Sequence, residues 1–432
     1  PPLLGRMRER MGFGARDDAA DTDAVFTPAA NDRPGWHVRL FGSHEFFRLW
    51  IIQVVSATGD WLGFTAIIAF TNQLYASDPG AAAAAISVVM LVRIIPHLFF
   101  SPLAGVLVDR WDRKKTMIAA DLSRASIFAV LPFVKSLWGL LIFSLLIEMF
   151  TLLWTPAKEA ITPHLVPHDH LTTAASLNLA AGYGPALYAP LLFAALAGLS
   201  AWLGNFSALS FLGLNQTALA FQVDAVTFIV SAFLIWKLAL PQRARHARDP
   251  REIRGDRRVD LNKTFHELKE GWHYVFLNPT VRAVNVSLGI ALVGGGMLIT
   301  LGAVFASDVL KAGPAGFGLF TTSLIFGAVL GVAGVSALQK GIPKQSALPF
   351  ALFAAGATLF LAASVDSLGA ALGFVFLMGL FVGPAYALGY SILHEQVDDE
   401  LRGRVFSALN PLVRFCLIIS WVIGPLLIAF FD

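Results

Sequence analysis

Charge is scarce in this sequence. Only 14% of its 432 residues are charged, whereas an ordinary soluble domain carries about 25%. Hydrophobic residues make up 56%. A soluble fold of this length could not cover such a core with so little polar surface. Cysteine is nearly missing too. The single Cys416 excludes an intramolecular disulfide and sits in an apolar run, so it says nothing about redox compartment. No G-x-x-x-x-G-K-[ST] phosphate loop occurs, which argues against ATP-driven work by this chain. Neither H-E-x-x-H nor G-x-S-x-G occurs, and no paired catalytic motif favours an enzyme. The strict alternation of a membrane β-barrel is also missing.

Long apolar runs are what the sequence does have. A bilayer core about 30 Å thick needs roughly 20 mostly apolar helical residues. Eleven such runs occur, at about 46–76, 81–107, 114–134, 137–156, 172–198, 218–239, 280–306, 315–338, 345–364, 367–393 and 403–431. Backbone groups in lipid must be satisfied within their own segment, so these runs are expected as helices and the chain as an all-α membrane protein.

Lys and Arg are distributed unevenly. Of 32 basic residues, 27 fall in the tail, on one set of loops or at the span ends that adjoin them, while the opposite loops hold only Lys135 and Lys311. Arg93, Arg124 and Arg414 lie within spans. By the positive-inside rule the N-terminus is expected in the cytoplasm and the chain in the plasma membrane. Four segments follow: a polar tail over 1–45 with an interfacial stretch from Trp36 to Trp50, six spans over 46–239, a basic linker over 240–279, and five spans over 280–432. The linker lacks aromatic interleaving. Topology and attraction to anionic lipid account for it, and no nucleic-acid partner is expected.

The second half weakly repeats the first. Thr155-Pro156-Ala157 has a counterpart in Gly383-Pro384-Ala385, and Gly184-Pro185 in Gly424-Pro425. Such repetition is typical of secondary transporters, which bind substrate between their halves near the midplane. The pairs Gly327/Gly331 and Gly379/Gly383 have small-x-x-x-small spacing and read as helix-packing surfaces.

An ionisable group at the bilayer centre costs roughly 2.5–3.5 kcal/mol, so each one needs a reason. At a rise of about 1.5 Å per residue, Asp60 and Arg93 lie some 21 and 24 Å from the same face. They are level enough to pair. One reading is that a proton loaded on Asp60 releases Arg93. The other is a permanent pair that fixes packing. Glu148 lies near the midplane with no sequence-near partner and is a second proton-coupling candidate. Asp224 is a third, a few residues inside the external end, where water or a cap competes with coupling. Asp121 and Arg124, at i and i+3, read as a structural pair. Arg414 meets either an anionic substrate or a neighbouring helix. Trp61, Phe64, Trp154, Tyr183 and Tyr188 are candidates to line an amphipathic cavity, with lipid contact as the alternative. His164, His168 and His170, with Asp169, read as a solvated loop, so no metal site is expected.

The loop Gly105-Val-Leu-Val-Asp109-Arg110-Trp-Asp112-Arg113-Lys114-Lys115 carries more than topology requires. Gly105 lets helices approach, and a carboxylate near a helix N-terminus gains roughly 0.3–1 kcal/mol, to which basic partners add. Gly105, Asp109, Arg110, Arg113 and Lys114 are therefore the expected members of a conformational latch.

This loop resembles the G-x-x-x-D-R-x-G-R-[KR] signature of the major facilitator superfamily, with Asp112 in place of the second Gly. That variant, together with Ala119-Ala120-Asp121-Leu-Ser-Arg124-Ala125, Pro156-Ala-Lys-Glu-Ala-Ile-Thr-Pro163 and Leu401-Arg402-Gly403-Arg404-Val405-Phe406, is similar to the branch holding macrolide and siderophore exporters. Ala180-Ala-Gly182-Tyr-Gly184-Pro185-Ala-Leu-Tyr188-Ala189-Pro190 resembles the antiporter motif of drug exporters, with two glycines replaced by Ala. The resemblance implies two pseudo-symmetric six-helix bundles, hence a twelfth helix beyond the eleven visible. It also implies export of a lipophilic or amphipathic small molecule by alternating access. The buried carboxylates and the missing ATP site point to the proton gradient as energy source, with no cofactor. Transport of a lipid or glycolipid is the alternative. Expected partners are the substrate and membrane lipids, with the chain a monomer.

Overall fold

The computed structural model describes residues 35–100, 104, 107–108, 111–167, 170–203, 217–240, 277–338, 343–396 and 412–427. Gly105, Asp109, Arg110, His168, Asp169 and most of the tail and linker lie outside the described residues.

The spans are helices. They are α1 (His44–Leu74), α2 (Pro79–Phe99), α3 (Arg113–Val130), α4 (Leu137–Ile161), a two-part α5, α6 (Ala218–Lys237), α7 (Pro279–Val304), α8 (Gly313–Leu338), α9 (Lys344–Ala363) and α10 (Leu368–Gln396). A shorter apolar helix, α11, covers Leu412–Leu427. Ten of the described helices are long and apolar enough to cross a membrane. The ends of the expected 403–431 span fall outside the described residues.

The helix starts follow local chemistry. Ser43, Asp78, Asp112, Ser136 and Asn278 each accept a backbone N–H from the first turn of α1, α2, α3, α4 and α7. Pro79 and Pro279 sit at first-turn positions, where a missing N–H costs nothing. Helix α5 is broken where the sequence carries Gly184-Pro185. It runs over Leu171–Tyr183, turns through Gly184–Leu187, and resumes over Ala189–Leu203.

A short helix, Trp36–Phe41, precedes α1 and ends on Gly42, whose φ of 75° a side chain would resist. Beside it, the Ser43 hydroxyl donates to Leu165 O at 2.5 Å, tying the start of α1 to the segment after α4.

Within the first half, α1, α3 and α6 share an aromatic core. Phe128 stacks on Phe228 at 5.6 Å, and Phe70 meets Phe221 edge-on at 5.5 Å. In the second half, α8 and α10 meet backbone to backbone. Gly327 and Gly331 face the Phe376 and Leu380 carbonyls, while Gly379 and Gly383 face those of Leu324 and Ala328. The four glycines read as packing residues do pack, and on each other's helices.

One set of contacts between the halves involves the ends away from the basic loops. There Asn72 on α1 donates to Ser307 Oγ at 2.8 Å and to Ala303 O at 3.3 Å. Gly318 on α8 lies so close to α5 that an added Cβ would sit 2.7 Å from Pro190 O.

Candidate functional site

Helix α3 places Arg124 in the centre of the first half with no exposed surface. Its Nη1 donates to Asp60 Oδ1 of α1 at 2.8 Å and to Thr151 of α4 at 3.4 Å. Its Nη2 donates to Ser56 at 3.1 Å and to the Asp121 carboxylate. The guanidinium lies over the Phe228 ring at 4.2 Å and near Trp154 at 5.7 Å. Ser231 of α6 donates to the second Asp121 oxygen at 2.7 Å.

Asp224 of α6 completes the group. It is fully buried, and its Oδ1 accepts from Thr227 at 3.3 Å. Its Oδ2 has no hydrogen-bond partner among the described residues. Gly59 and Gly63 of α1 make room for this carboxylate. A Cβ on Gly59 would lie 2.5 Å from Asp224 Oδ1, and one on Gly63 would overlap Oδ2. Asp224 and Asp60 are within electrostatic range of each other.

A second group lies on α2 and α4. Arg93 forms an ion pair with Glu148, and His97 Nε2 sits 3.1 Å from the other Glu148 oxygen. Arg93 also stands over the Phe64 ring at 5.5 Å. Arg414 of α11 donates to the His97 carbonyl at 3.2 Å, so this group reaches across to the second half.

The pairing differs from the sequence expectation. Asp60 pairs with Arg124, not Arg93: α6 packs against both α1 and α3 and brings the long Arg124 side chain within reach of α1, while Arg93 on α2 pairs with Glu148 of α4. Glu148 does have partners, Arg93 and His97. Asp224 has no exposure at all, so it is not beside external water. Arg124 is more than a local mate of Asp121: it joins three helices. No sequence signal set it apart, although its intramembrane charge was visible. Together Asp60, Asp121, Asp224 and Glu148 oppose Arg93 and Arg124, four carboxylates against two guanidiniums.

The aromatic candidates separate. Trp154 is buried against Arg124, so it backs the charge and does not line a cavity. Trp61 donates its indole N–H to Gly182 O at 3.0 Å, next to the α5 break. Phe64 meets Trp61 edge-on at 6.1 Å. Tyr183 and Tyr188 are exposed, and the Tyr188 hydroxyl lies 2.6 Å from Thr58 Oγ1. Of the latch residues, Arg113 donates to Ala160 O at 3.2 Å, and Lys114 donates to Trp236 O and Leu238 O, both at 2.7 Å. These contacts tie the start of α3 to the ends of α4 and α6. Asp112, where the signature has Gly, caps α3 through Lys115 N at 3.0 Å.

Comparison with known proteins agrees with this architecture. The family model described as Major Facilitator Superfamily matches residues 49–425. The chain is 25% identical over 398 residues to macrolide efflux protein A of Streptococcus pyogenes, covering 88% of this chain and 89% of that protein. It is 24% identical over 386 residues to an uncharacterized MFS-type transporter, YkuC, of Bacillus subtilis, covering 87% and 84%. Among solved structures, a bacterial homolog of the human lysosomal transporter Spinster superposes with a TM-score of 0.63 at 17% identity, covering 91% of this chain and 82% of that one. The nucleoside transporter NupG gives 0.62 at 10% identity, covering 88% and 90%.

Proposed function

Because this chain belongs to the Major Facilitator Superfamily and is a membrane transporter of that fold, we propose that it couples inward proton movement to export of a lipophilic or amphipathic small molecule. One observation carries the coupling. Two carboxylates share Arg124, and a third, Asp224, is buried beside them with no ion-pair partner among the described residues and one oxygen without a hydrogen bond there. Unbalanced charge in a membrane interior is costly, and a bound proton is the smallest ion that removes it. A proton on Asp60 frees one arm of Arg124 and loosens α1 from α3. Alternating access needs a bistable contact of this kind.

Export, as opposed to import, is supported by the similarity to macrolide efflux protein A. Export requires that substrate enter from the basic-loop side. By the positive-inside rule that side is the cytoplasm, with the N-terminus on it and the chain in the plasma membrane. The transporter works as a monomer without a cofactor.

The test is efflux of a lipophilic fluorescent dye from proteoliposomes under an imposed pH gradient. Dye movement that collapses with a protonophore supports proton coupling. Movement that persists unchanged when Asp60→Asn, Glu148→Gln and Asp224→Asn are combined overturns it. Transfer of labelled lipid between leaflets, with no dye movement, replaces export by lipid transport.

A further inference from the structure

The outer side of α3 and α6 carries a patch that neither the buried charge groups nor the contacts between the halves use. On α3 the exposed residues Lys115, Ala119 and Leu122 recur at four- and three-residue steps and so share one face. On α6 the exposed Val226, Ile229, Phe233 and Trp236 do the same, with Lys237 beside them. In a membrane both faces meet lipid. Each is apolar until the basic-loop end, where it presents a lysine.

A third lysine brings these two together. Lys114 Nζ donates to Trp236 O and Leu238 O, both at 2.7 Å, so the start of α3 grips the end of α6 on either side of Lys237. Lys114 thereby satisfies carbonyls that a helix end leaves open. Lys115 and Lys237 are not used in this way. Neither has a carboxylate partner among the described residues. Lys237 Nζ stands over the Phe233 ring at 4.5 Å. The Asp112 carboxylate, close in sequence, is turned to the Lys115 backbone N–H as the α3 cap. Trp111 and Trp236 flank the lysines, 45% and 64% exposed. Topology accounts for lysine and tryptophan at headgroup depth. It does not require two unpaired lysines at the junction of touching helices, above one apolar surface.

We propose that Lys115 and Lys237 hold the phosphate of an acidic phospholipid from the leaflet on the basic-loop side. The acyl chains lie along Ala119, Leu122 and Phe233, and the indoles of Trp111 and Trp236 bracket the headgroup. Two cations favour a lipid with net negative charge over a zwitterionic one, whose own ammonium they repel. The lipid braces the start of α3 against the end of α6, the helices that carry Arg124 and Asp224. This holds whatever molecule the chain transports.

The test is native mass spectrometry of the full chain released from detergent micelles, with phosphatidylglycerol and phosphatidylcholine of identical chains supplied in equal amounts. Wild type is expected to retain phosphatidylglycerol preferentially. Lys115→Gln combined with Lys237→Gln should weaken phosphatidylglycerol binding about ten-fold or more. It should leave phosphatidylcholine binding unchanged, which serves as the folding control. Arg257→Gln combined with Arg258→Gln removes the same charge from the linker and should keep the preference. Equal losses in the two double variants would show diffuse attraction in place of a site and overturn the proposal. An unchanged preference in the lysine variant, or none in wild type, overturns it too. If the glutamine pair loses both lipids, Lys115→Arg combined with Lys237→Arg decides: a kept preference supports the site and a lost one overturns it. Release of phosphatidylglycerol by millimolar inorganic phosphate would mean a site for soluble anions and also overturn it.

Discussion

The Arg124 guanidinium donates to the Asp60 carboxylate at 2.8 Å, across a separation of 64 residues and from one helix to another. The same group holds Asp121 on its own helix. The two bonds differ in consequence. Asp121 is fixed by Arg124 and Ser231 and has no exposed surface, whereas the Asp60 side chain is 37% exposed. Asp60 is the carboxylate bound to Arg124 whose side chain keeps exposed surface.

Removing the arginine and removing the aspartate should therefore have different effects. Arg124→Leu leaves Asp121 buried without its counter-ion, and loss of one partner from a buried pair costs about 3–5 kcal/mol. The variant should unfold at markedly lower temperature, or fail to be recovered from detergent. Asp60→Asn leaves Arg124 with Asp121 and should fold. Its pH-driven efflux should fall at least about ten-fold, while exchange of substrate without a gradient persists. Thermal unfolding and paired efflux and exchange assays check this.

Arg93 and Glu148 should behave as a unit. Glu148→Gln strands the Arg93 charge and should destabilise by about 3–5 kcal/mol. Combining Glu148→Leu with Arg93→Met replaces the pair by apolar groups and should recover at least half of that stability, because neither charge is then left alone. A double-mutant cycle on thermal stability measures the coupling, and additive losses would contradict the pairing.

Glycines on one helix should differ sharply. A Cβ on Gly331 of α8 would collide with the α10 backbone at Leu380, which has no flexible end to yield. Gly331→Ala should cost about 1–3 kcal/mol. Gly334, three residues on, has nothing within 4 Å of an added Cβ. Gly334→Ala should leave stability unchanged or raise it by up to about 1 kcal/mol through helix propensity. Melting temperatures of the two variants give the comparison.

The contact between Asn72 and Ser307 should mark one conformer. In a chain whose Cys416 is first replaced by Ser, Asn72→Cys and Ser307→Cys should be joined by a short bifunctional thiol reagent. The joined protein should transport nothing, and cleavage of the link should restore activity. Full transport by the joined protein would show that the halves need not part there.

Much of the fold was legible because its causes are local. Apolar length marks a span, Ser, Asp or Asn followed by a helix-forming run marks its start, and Gly184-Pro185 marks the break in α5. The small-x-x-x-small glycines were legible as packing residues for the same reason. The charge groups were only half legible. Depth follows from counting along a helix, and that count put Asp60 and Arg93 at one level. Counting gives no account of which helix stands beside which, or of how each is rotated about its axis.

By itself, then, the sequence determined that this chain is a helical membrane protein with ionisable groups inside its apolar spans. Those properties depend on composition and on rise per residue. Tertiary structure alone decided that Arg124 takes Asp60, that Arg93 takes Glu148, and that Asp224 is lodged against Gly59 and Gly63. The reason is physical: a charge in a low-dielectric interior pairs with whatever lies within a few ångströms, and helix packing, not chain order, sets that neighbourhood.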